Sequence, residues 1–336
     1  MISPRCAKFG YLCERSEKPC LWLFQNLVTM PILVNVLIFV VSLAVLLKAA
    51  DWFIDSAERI GLSLGISPFI IGVTIVAFGT SLPELATAVV SVLEDESAIV
   101  AGTVIGSNVT NIALVLGLIT VIVGSIDLDY NIWHIDMPYL WGSAFMMWFV
   151  FRDFRVDLFE CVLCIIGIAV FLAYSIRSTS GEKIVRTRIS WKQYALLVVG
   201  GVLVAVGSDY VIHSIVELSS IAGIDSELIS LSAVALGTSL PEVIVSLNAA
   251  RRGKATIAVG NVLGSNVFNT YVVIGVPALI GDLEIPPTIN EFFLPLMLVM
   301  TILFGIISNN KKITRWEGAL LLMFYLLFLS EIFAQA

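Results

Sequence analysis

The sequence predicts an all-α polytopic membrane protein, with ten transmembrane helices in two inverted five-helix repeats and broken helices at a central ion site. Of its 336 residues, 58% are hydrophobic and 13% are charged, whereas soluble domains have about 45–50% apolar and about 25% charged residues. The segment AFGTSLPE at residues 77–84 recurs as ALGTSLPE at residues 235–242, a shift of 158 positions. GSNVTN at residues 106–111 recurs with the same shift as GSNVFN at residues 264–269.

Apolar segments of about 20 residues, long enough for a helix to cross a bilayer, identify the candidate spans. We place them at residues 31–50, 67–93, 98–124, 138–151, 156–176, 193–214, 227–250, 255–281, 292–309 and 316–334. The first repeat then covers residues 31–176 and the second covers residues 193–336, with the repeated polar regions at 72–111 and 230–269.

Residues 1–30 precede the first span and carry Cys6, Cys13 and Cys20 among basic residues. A basic opening before an apolar run resembles a signal peptide, but the run is long enough to span and no cleavage site of small residues stands out. We interpret this segment as a disordered extension, or as part of an over-long gene product that naturally starts at Met30. We assign it no function.

The remaining composition argues against several classes of protein. Cys161 and Cys164 form a CxxC pair inside an apolar span, where we interpret them as packing residues. We expect no resident cofactor and no enzyme activity, since no nucleophile–base pair or phosphate-binding loop appears. The net charge of −7 argues against a nucleic-acid partner. No obligate protein partner is evident, and the bilayer is the expected environment.

The basic loops predict the orientation of the chain in the cell membrane. Lys and Arg in short loops mark the cytoplasmic side. The linker at residues 177–192 has five basic residues and one Glu. Further basic residues follow the seventh span or lie between the ninth and tenth spans: Arg251, Arg252, Lys254, Lys311, Lys312 and Arg315. We therefore expect a cytoplasmic linker and extracellular termini. The basic extension and the acidic loop at 127–136 oppose this, but an odd number of spans per repeat supports it.

One loop reverses its charge between the repeats, which fits copies of opposite orientation. The loop at 94–96 reads EDE, and the matching loop at 252–254 reads RGK. Inverted repeats around a site at the membrane midplane are a recurrent plan of secondary transporters. The polar residues at the ends of the first and sixth spans, which include the matched pair Asp51 and Asp209, are interpreted as solvated helix ends.

A glutamate closes each copy of the first motif, at Glu84 and Glu242. An acidic side chain such as Asp near the bilayer centre costs about 2.5–3.5 kcal/mol on insertion scales, and such residues mark ion pathways. Since these two spans contain no Lys or Arg, we expect a bound cation or a proton to neutralise the glutamates.

Helical spacing brings further oxygen atoms to each glutamate. Thr80 and Ser81 precede Glu84 by four and three residues, so they share its side of the helix. Gly79 and Pro83 favour a helix break at this point, because proline lacks the N–H that a regular turn requires. A break would free backbone carbonyls nearby, which is tolerated at membrane depth only beside protein or a water-filled cavity.

The second motif supplies hydroxyl and amide groups at helical spacing. Ser107 and Asn111 stand four residues apart and can face the break, while glycines at 102, 106, 260 and 264 form small-residue strips for close helix contact. All of these ligand atoms are hard oxygen donors, which favour Ca²⁺ or Na⁺ over zinc or copper. The candidate set is Glu84, Glu242, Thr80, Ser81, Thr238, Ser239, Ser107, Ser265, Asn111, Asn269 and the carbonyls of Ala77 and Ala235.

The two motifs and their repetition resemble the sodium/calcium exchanger family of cation/Ca²⁺ antiporters. This resemblance implies a secondary active antiporter that exchanges Ca²⁺ for Na⁺ by alternating access, with Glu84 and Glu242 as the main ligands of both ions. It also implies that the Thr and Ser hydroxyls and the carbonyls of Ala77 and Ala235 serve mainly Na⁺. Asn111 and Asn269 would line the centre of the site.

Two departures from the family pattern leave alternatives open. Some members have Asp where this chain has Asn269, so the site here carries at most two carboxylates. The short linker has no room for the regulatory domains of eukaryotic relatives and indicates the minimal prokaryotic form. An H⁺/Ca²⁺ antiporter would use the same glutamates, and a passive cation channel is an alternative of a different class.

Overall fold

The structure is a computed structural model, and it describes residues 17–128, 132–133, 136–178, 189–221 and 239–335. Its first half contains α1 Glu17–Leu64, α2 Pro68–Ile71, a π-helical segment Gly72–Val76, α3 Ala77–Thr80, α4 Leu82–Leu93, α5 Ala98–Val109, a π-helical segment Thr110–Leu116, α6 Gly117–Val123, β1 Ser125–Asp127, α7 Asp136–Val150, β2 Arg155–Val156 and α8 Leu158–Ser178.

The second half contains α9 Trp191–Ile221, α10 Leu240–Arg251, α11 Ala255–Phe268, a π-helical segment Asn269–Val273, α12 Ile274–Ala278, β3 Leu283–Glu284, a π-helical segment Ile289–Phe293, α13 Leu294–Ser308, β4 Lys312–Thr314 and α14 Arg315–Gln335. Matching elements of the halves keep the shift found in the sequence, since α4 and α10 each begin at the Leu of SLPE.

Helices dominate the described residues, as the apolar composition predicts. In the described part of the chain, eight helical segments are long and apolar enough to cross a membrane: Ile32–Leu64, Pro68–Leu93, Ala98–Val123, Leu158–Ser175, Trp191–Ile221, Ala255–Ala278, Ile289–Ser308 and Arg315–Ala334. Many large apolar side chains on them are exposed, including Leu33, Phe159 and Leu326. Such a surface suits lipid, in which helices satisfy their own backbone hydrogen bonds. The fourth predicted span corresponds to α7. Of the seventh predicted span, the structure describes only the part from Ser239 onward.

The first helix is longer at both ends than the predicted span at 31–50. It already begins at Glu17, within the segment interpreted above as a disordered extension, and residues 1–16 lie outside the described residues. The interpretation of that extension stays a prediction. At its other end the helix continues to Leu64 because its two faces differ there. Phe53, Ile54 and Ala57 are buried against the bundle, and the acidic residues point to another face.

The matching helices α1 and α9 pack along each other in opposite directions. A Cβ added to Gly207 would meet Leu46, and one added to Gly200 would meet the backbone of Phe53. Residue numbers therefore fall along α9 as they rise along α1, and the two helices are antiparallel.

In contrast, α11 runs parallel to the first part of the second span. A Cβ on Gly260 would overlap the carbonyl of Phe69, and a Cβ on Gly264 would overlap the carbonyl of Val73. The absence of side chains thus lets two backbones touch, which confirms the predicted role of this small-residue strip. The strip carries the second motif of the second half directly to the first motif of the first half.

The matching strip of Gly102 and Gly106 has no such contact with the described residues. Nothing described lies within 4 Å of a Cβ on Gly102, and the ring of Phe328 lies 3.9 Å from one on Gly106. The packing role predicted for these two glycines stays a prediction.

Two short β-ribbons, which the sequence analysis did not predict, join the halves. β1 pairs antiparallel with β4, with Ser125 opposite Thr314, and β2 pairs antiparallel with β3, with Val156 opposite Leu283. The shift of 158 positions converts one pair into the other, because it takes Ser125 to Leu283 and Val156 to Thr314. Each half therefore contributes one strand to each ribbon, at matching positions of the repeat. The repeat shift maps each ribbon onto the other.

Candidate functional site

The predicted helix break is confirmed at Ser81. This residue has φ −89° and ψ 4°, outside the helical region, and it separates α3 from α4. Pro83 is the second residue of α4, where its missing N–H costs nothing because the first turn has no intrahelical acceptor for it. Ser239 precedes α10 with almost the same dihedral angles, φ −88° and ψ 0°. Both copies thus begin a new helix just before their glutamate.

One detail of the predicted break is wrong. The backbone N–H of Ser81 donates to the carbonyl of Ala77 at 3.0 Å, and the Thr80 hydroxyl lies 3.3 Å from the same oxygen. The helix continues as far as Thr80, so the Ala77 carbonyl is not freed. A carbonyl oxygen has two lone pairs. An ion at this site would use the lone pair of the Ala77 oxygen that does not accept the Ser81 N–H.

The two glutamates lie in the first turns of α4 and α10, where the helix dipole favours a carboxylate. The side chains are almost completely buried, with 1% of Glu84 and none of Glu242 exposed. Their carboxyl groups are close enough to interact electrostatically. The Ser81 hydroxyl, from the first half, donates to Oε1 of Glu242 at 3.1 Å. The fold therefore brings the two motifs to one place.

Several buried oxygen and nitrogen atoms there have no hydrogen-bond partner among the described residues. They are both carboxylate oxygens of Glu84, Oε2 of Glu242, the Ser239 hydroxyl and the side-chain amides of Asn111 and Asn269. Burying such groups without a partner is costly. A cation ligated by the oxygen atoms offsets that cost, so this donor set fits a hard metal ion.

The hydroxyls and amides of the second motif lie on elements that pack around the glutamates. Ser265 Oγ is 3.5 Å from Thr80 Oγ1, and Ser107 is buried on α5 one turn before Asn111. Asn111 and Asn269 lie at the starts of π-helical segments. Such segments often occur at functional sites. The sequence analysis did not predict them.

Two candidate residues lie outside the described residues, Ala235 and Thr238. Their predicted roles therefore stay predictions, and the geometry of the second copy rests on Ser239 and Glu242.

Two polar residues that the sequence analysis missed extend the site. Oδ1 of Asn261 accepts a hydrogen bond from Thr80 at 3.3 Å, and its Nδ2 donates to the Ser246 hydroxyl at 2.9 Å. Asn261 and Ser246 are fully buried. Helical spacing could have found both, because Asn261 is four residues before Ser265 and Ser246 is four residues after Glu242.

A cluster of ion pairs joins the end of α1 to the loop after α10. We call it the α1–loop cluster, and its members are Asp51, Asp55, Glu58, Arg252 and Lys254. Arg252 contacts Asp51 at 3.1 Å and Asp55 at 2.8 Å, and Lys254 contacts Asp55 at 2.6 Å and Glu58 at 2.7 Å. The hydrogen bond to Asp55 raises the pKa of Arg252 above its ordinary value. The interpretation of this end of the span as merely solvated is therefore wrong.

The fold is similar to solved structures of the sodium-calcium exchanger NCX_Mj. With the form soaked in 2.5 mM Na⁺ and 10 mM Sr²⁺, the TM-score is 0.78 at 29% identity, covering 89% of this chain and 99% of that chain. With the form soaked in 10 mM Na⁺ and 10 mM Sr²⁺, it is 0.79 at 29% identity, with 89% and 98% covered.

Two curated relatives from microorganisms match over nearly their whole length. The sodium/calcium exchanger MaX1 of Methanosarcina acetivorans is 30% identical, covering 90% of this chain and 99% of the relative. The inner membrane protein YrbG of Escherichia coli is 28% identical, with 88% and 96% covered. The family model described as sodium/calcium exchanger protein matches residues 34–177 and 192–333, and the chain therefore belongs to the sodium/calcium exchanger family.

Proposed function

We propose that this chain exchanges Ca²⁺ for Na⁺ across the cell membrane by alternating access, with both ions as transported substrates. The observation that carries the proposal is the meeting of Glu84 and Glu242, buried and close together, with three of their four oxygens unpartnered among the described residues. Membership of the sodium/calcium exchanger family and the similarity to an exchanger soaked with Na⁺ and Sr²⁺ support it.

The ligand chemistry supports competition of the two ions for the same carboxylates. Two carboxylates can neutralise one Ca²⁺ ion, which takes about 6–8 oxygen ligands in adaptable geometry. Na⁺ ions would share the carboxylates and draw on the hydroxyls and carbonyls. The proposed ligand set is Glu84, Glu242, Thr80, Ser81, Thr238, Ser239, Ser107, Ser265, Asn111, Asn269 and the carbonyls of Ala77 and Ala235.

Coupling follows from the cost of an empty site. Without a cation, two carboxylates stay buried and unpaired in a medium of low dielectric constant, which costs several kcal/mol per charge. A carrier in that state crosses between its two conformations slowly. Crossing is faster when either ion neutralises the site, so the two fluxes become linked.

We further propose a complete arrangement of ten spans in two inverted repeats, with α1 and α9 sliding against the remaining helices. The antiparallel contact of α1 with α9, and the β-ribbons that exchange under the repeat shift, support the inversion. The basic linker supports a cytoplasmic centre with extracellular termini.

Uptake of radioactive ⁴⁵Ca²⁺ into proteoliposomes tests the coupling ion. Gradients of Na⁺, of K⁺ and of pH are imposed separately on vesicles that contain the full chain. We expect an outward Na⁺ gradient alone to drive uptake. Uptake driven by a pH gradient in the absence of Na⁺ would instead identify an H⁺/Ca²⁺ antiporter, and uptake without any counter-ion would identify a passive channel.

A further inference from the structure

A buried chain of hydrogen bonds leads away from the proposed ion ligands. It begins at Thr80, passes through the amide of Asn261 and ends at Ser246, with distances of 3.3 and 2.9 Å. Thr80 and Asn261 belong to different halves, and all three side chains are at most 1% exposed. The amide contacts no candidate carboxylate within hydrogen-bond distance in the described residues, so it acts on the site through Thr80.

The Thr80 hydroxyl has one proton and four neighbouring groups that could accept it. They are the carbonyl of Ala77 at 3.3 Å, Oδ1 of Asn261 at 3.3 Å, the Ser265 hydroxyl at 3.5 Å and the carboxylate of Glu242. A hydroxyl that ligates a cation must point a lone pair at the ion and donate its proton elsewhere. Donation to Ala77, Ser265 or Glu242 would use an oxygen of the candidate ligand set, whereas donation to Asn261 leaves all three available.

The amide of Asn261 turns its oxygen toward Thr80. Nδ2 donates to the Ser246 hydroxyl, and Oδ1 accepts from the Thr80 hydroxyl. If the amide turned over, its N–H would point at Thr80 and would place positive partial charge next to the site of a cation. The observed orientation is therefore the one that suits a bound ion.

The first half has no equivalent of this amide. The position that matches Asn261 is Thr103, and the position that matches Ser246 is Ala88, each 158 residues earlier. Thr103 is too short to bridge as an amide does, and Ala88 has no hydroxyl to anchor it. The hydrogen-bond chain through Asn261 and Ser246 therefore has no counterpart in the residues at positions 103 and 88.

We infer that Asn261 is a positioning residue that sets Na⁺ affinity by accepting the Thr80 proton, with Ser246 as its anchor. The inference rests on the proposed function, in which Thr80 and the Ala77 carbonyl serve mainly Na⁺ and the carboxylates dominate Ca²⁺ binding. Loss of Asn261 should then weaken Na⁺ far more than Ca²⁺.

The test is an ion titration of the purified full chain in detergent, followed by thermal unfolding. An ion that binds the folded state stabilises it by RT ln(1 + [ion]/Kd), so the rise of the melting temperature with ion concentration gives an apparent Kd for each ion. We expect Asn261→Leu to weaken Na⁺ binding about three- to tenfold, the loss of one neutral hydrogen bond of ~0.6–1.4 kcal/mol. The Kd of Ca²⁺ should change less than about twofold.

A double-mutant cycle separates positioning from general packing. If Asn261 acts through Thr80, then Asn261→Leu has no further effect on Na⁺ affinity in the Thr80→Val background, since coupled residues are not additive. Ser246→Ala is the milder variant and should produce a smaller loss of Na⁺ affinity with the same selectivity. Asn266→Leu is the matched control, because that amide donates to the Val262 carbonyl within its own helix.

Each other outcome contradicts a defined part of the inference. Equal weakening of both ions, additivity with Thr80→Val, or an Na⁺-selective loss in the Asn266 control would assign Asn261 a general structural role. Wild-type affinities in both the Asn261 and Ser246 variants would overturn the inference alone. If neither ion stabilises the wild-type chain, the proposed function falls and the inference falls with it.

Discussion

At the scale of single residues, burial of the two glutamates has two energetic costs. Each has lost its hydration, and the two carboxylates repel one another when both are charged. The Ser81 hydroxyl of one half stabilises Glu242 of the other half at 3.1 Å, but the oxygens of Glu84 have no hydrogen-bond partner among the described residues. A divalent cation reverses both costs at once. The folded chain is therefore expected to be more stable with its substrate than without it.

This leads to a prediction for Glu84→Gln and Glu242→Gln. Either variant should abolish Na⁺-driven ⁴⁵Ca²⁺ uptake and the rise in melting temperature that Ca²⁺ produces. The ion-free melting temperature should be unchanged or higher, because a neutral amide of the same size replaces a buried charge. Glu94→Gln, on an exposed loop, is the control and should behave as wild type. Undiminished uptake by either motif variant would remove the glutamates from the mechanism.

The residues of the site were predictable as far as the repeated motifs reach. Duplication marks Glu84, Ser81 and Glu242 in the sequence, and the structure brings these three residues together. Asn261 and Ser246 were missed because their matching positions carry Thr and Ala, so repetition does not mark them. Helical spacing from Ser265 and Glu242 could have indicated them, but the contact of Asn261 with Thr80 depends on the packing of α11 against the second span.

At the scale of helices and strands, local chemistry located the break but not its surroundings. Gly79 and Pro83 predicted an interruption of the helix, and in the structure the interruption lies between them, at Ser81. The π-helical segments at Asn111 and Asn269 were not predicted, because a single wide turn leaves no mark in the apolar periodicity of a span that is buried on all sides. The β-ribbons have only two or three residues per strand, too few for an alternating pattern.

The α1–loop cluster is an element-scale feature without an equivalent set of ion pairs among the described residues of the other half. The loop that matches Arg252 and Lys254 is acidic, and the positions that match Asp51, Asp55 and Glu58 carry Asp209, His213 and Val216. Two of the three acidic partners are thus replaced, so the set of ion pairs is not repeated. The cluster therefore holds α1 to the core at one end of the molecule.

We predict that Arg252→Ala lowers the melting temperature in dilute buffer by roughly 2–4 °C. Its pairs are partly exposed, and such pairs contribute about 0.2–1 kcal/mol each. Arg251→Ala is the matched control, because it removes the same charge but has no ion pair with the described residues. In 1 M choline chloride, where the Debye length falls to about 3 Å, the difference between the two variants should shrink. A difference that does not respond to choline chloride would assign the effect to packing instead.

At the scale of the whole molecule, the shift of 158 residues predicted two related halves, and contacts in the structure supply their relative direction. The helices α1 and α9 are antiparallel, although they occupy matching places in the two halves. From the sequence, only charge and the odd number of spans bear on the proposed inversion of the two repeats. It could not reveal which spans of one half touch which spans of the other, because that depends on tertiary packing.

The inversion makes a direct prediction about matching loops, which should face opposite sides of the membrane. Asp95 and Gly253 are a matched pair, and both have positive φ, 61° and 77°, at the tips of equivalent turns. In a background without the five native cysteines, Asp95→Cys should react with a membrane-impermeant thiol reagent added outside intact cells. Gly253→Cys should react only after the membrane is permeabilised. Reaction of both from the same side would contradict the inverted repeats. Reversal of the two sides would keep the inversion but overturn the orientation inferred from the basic loops.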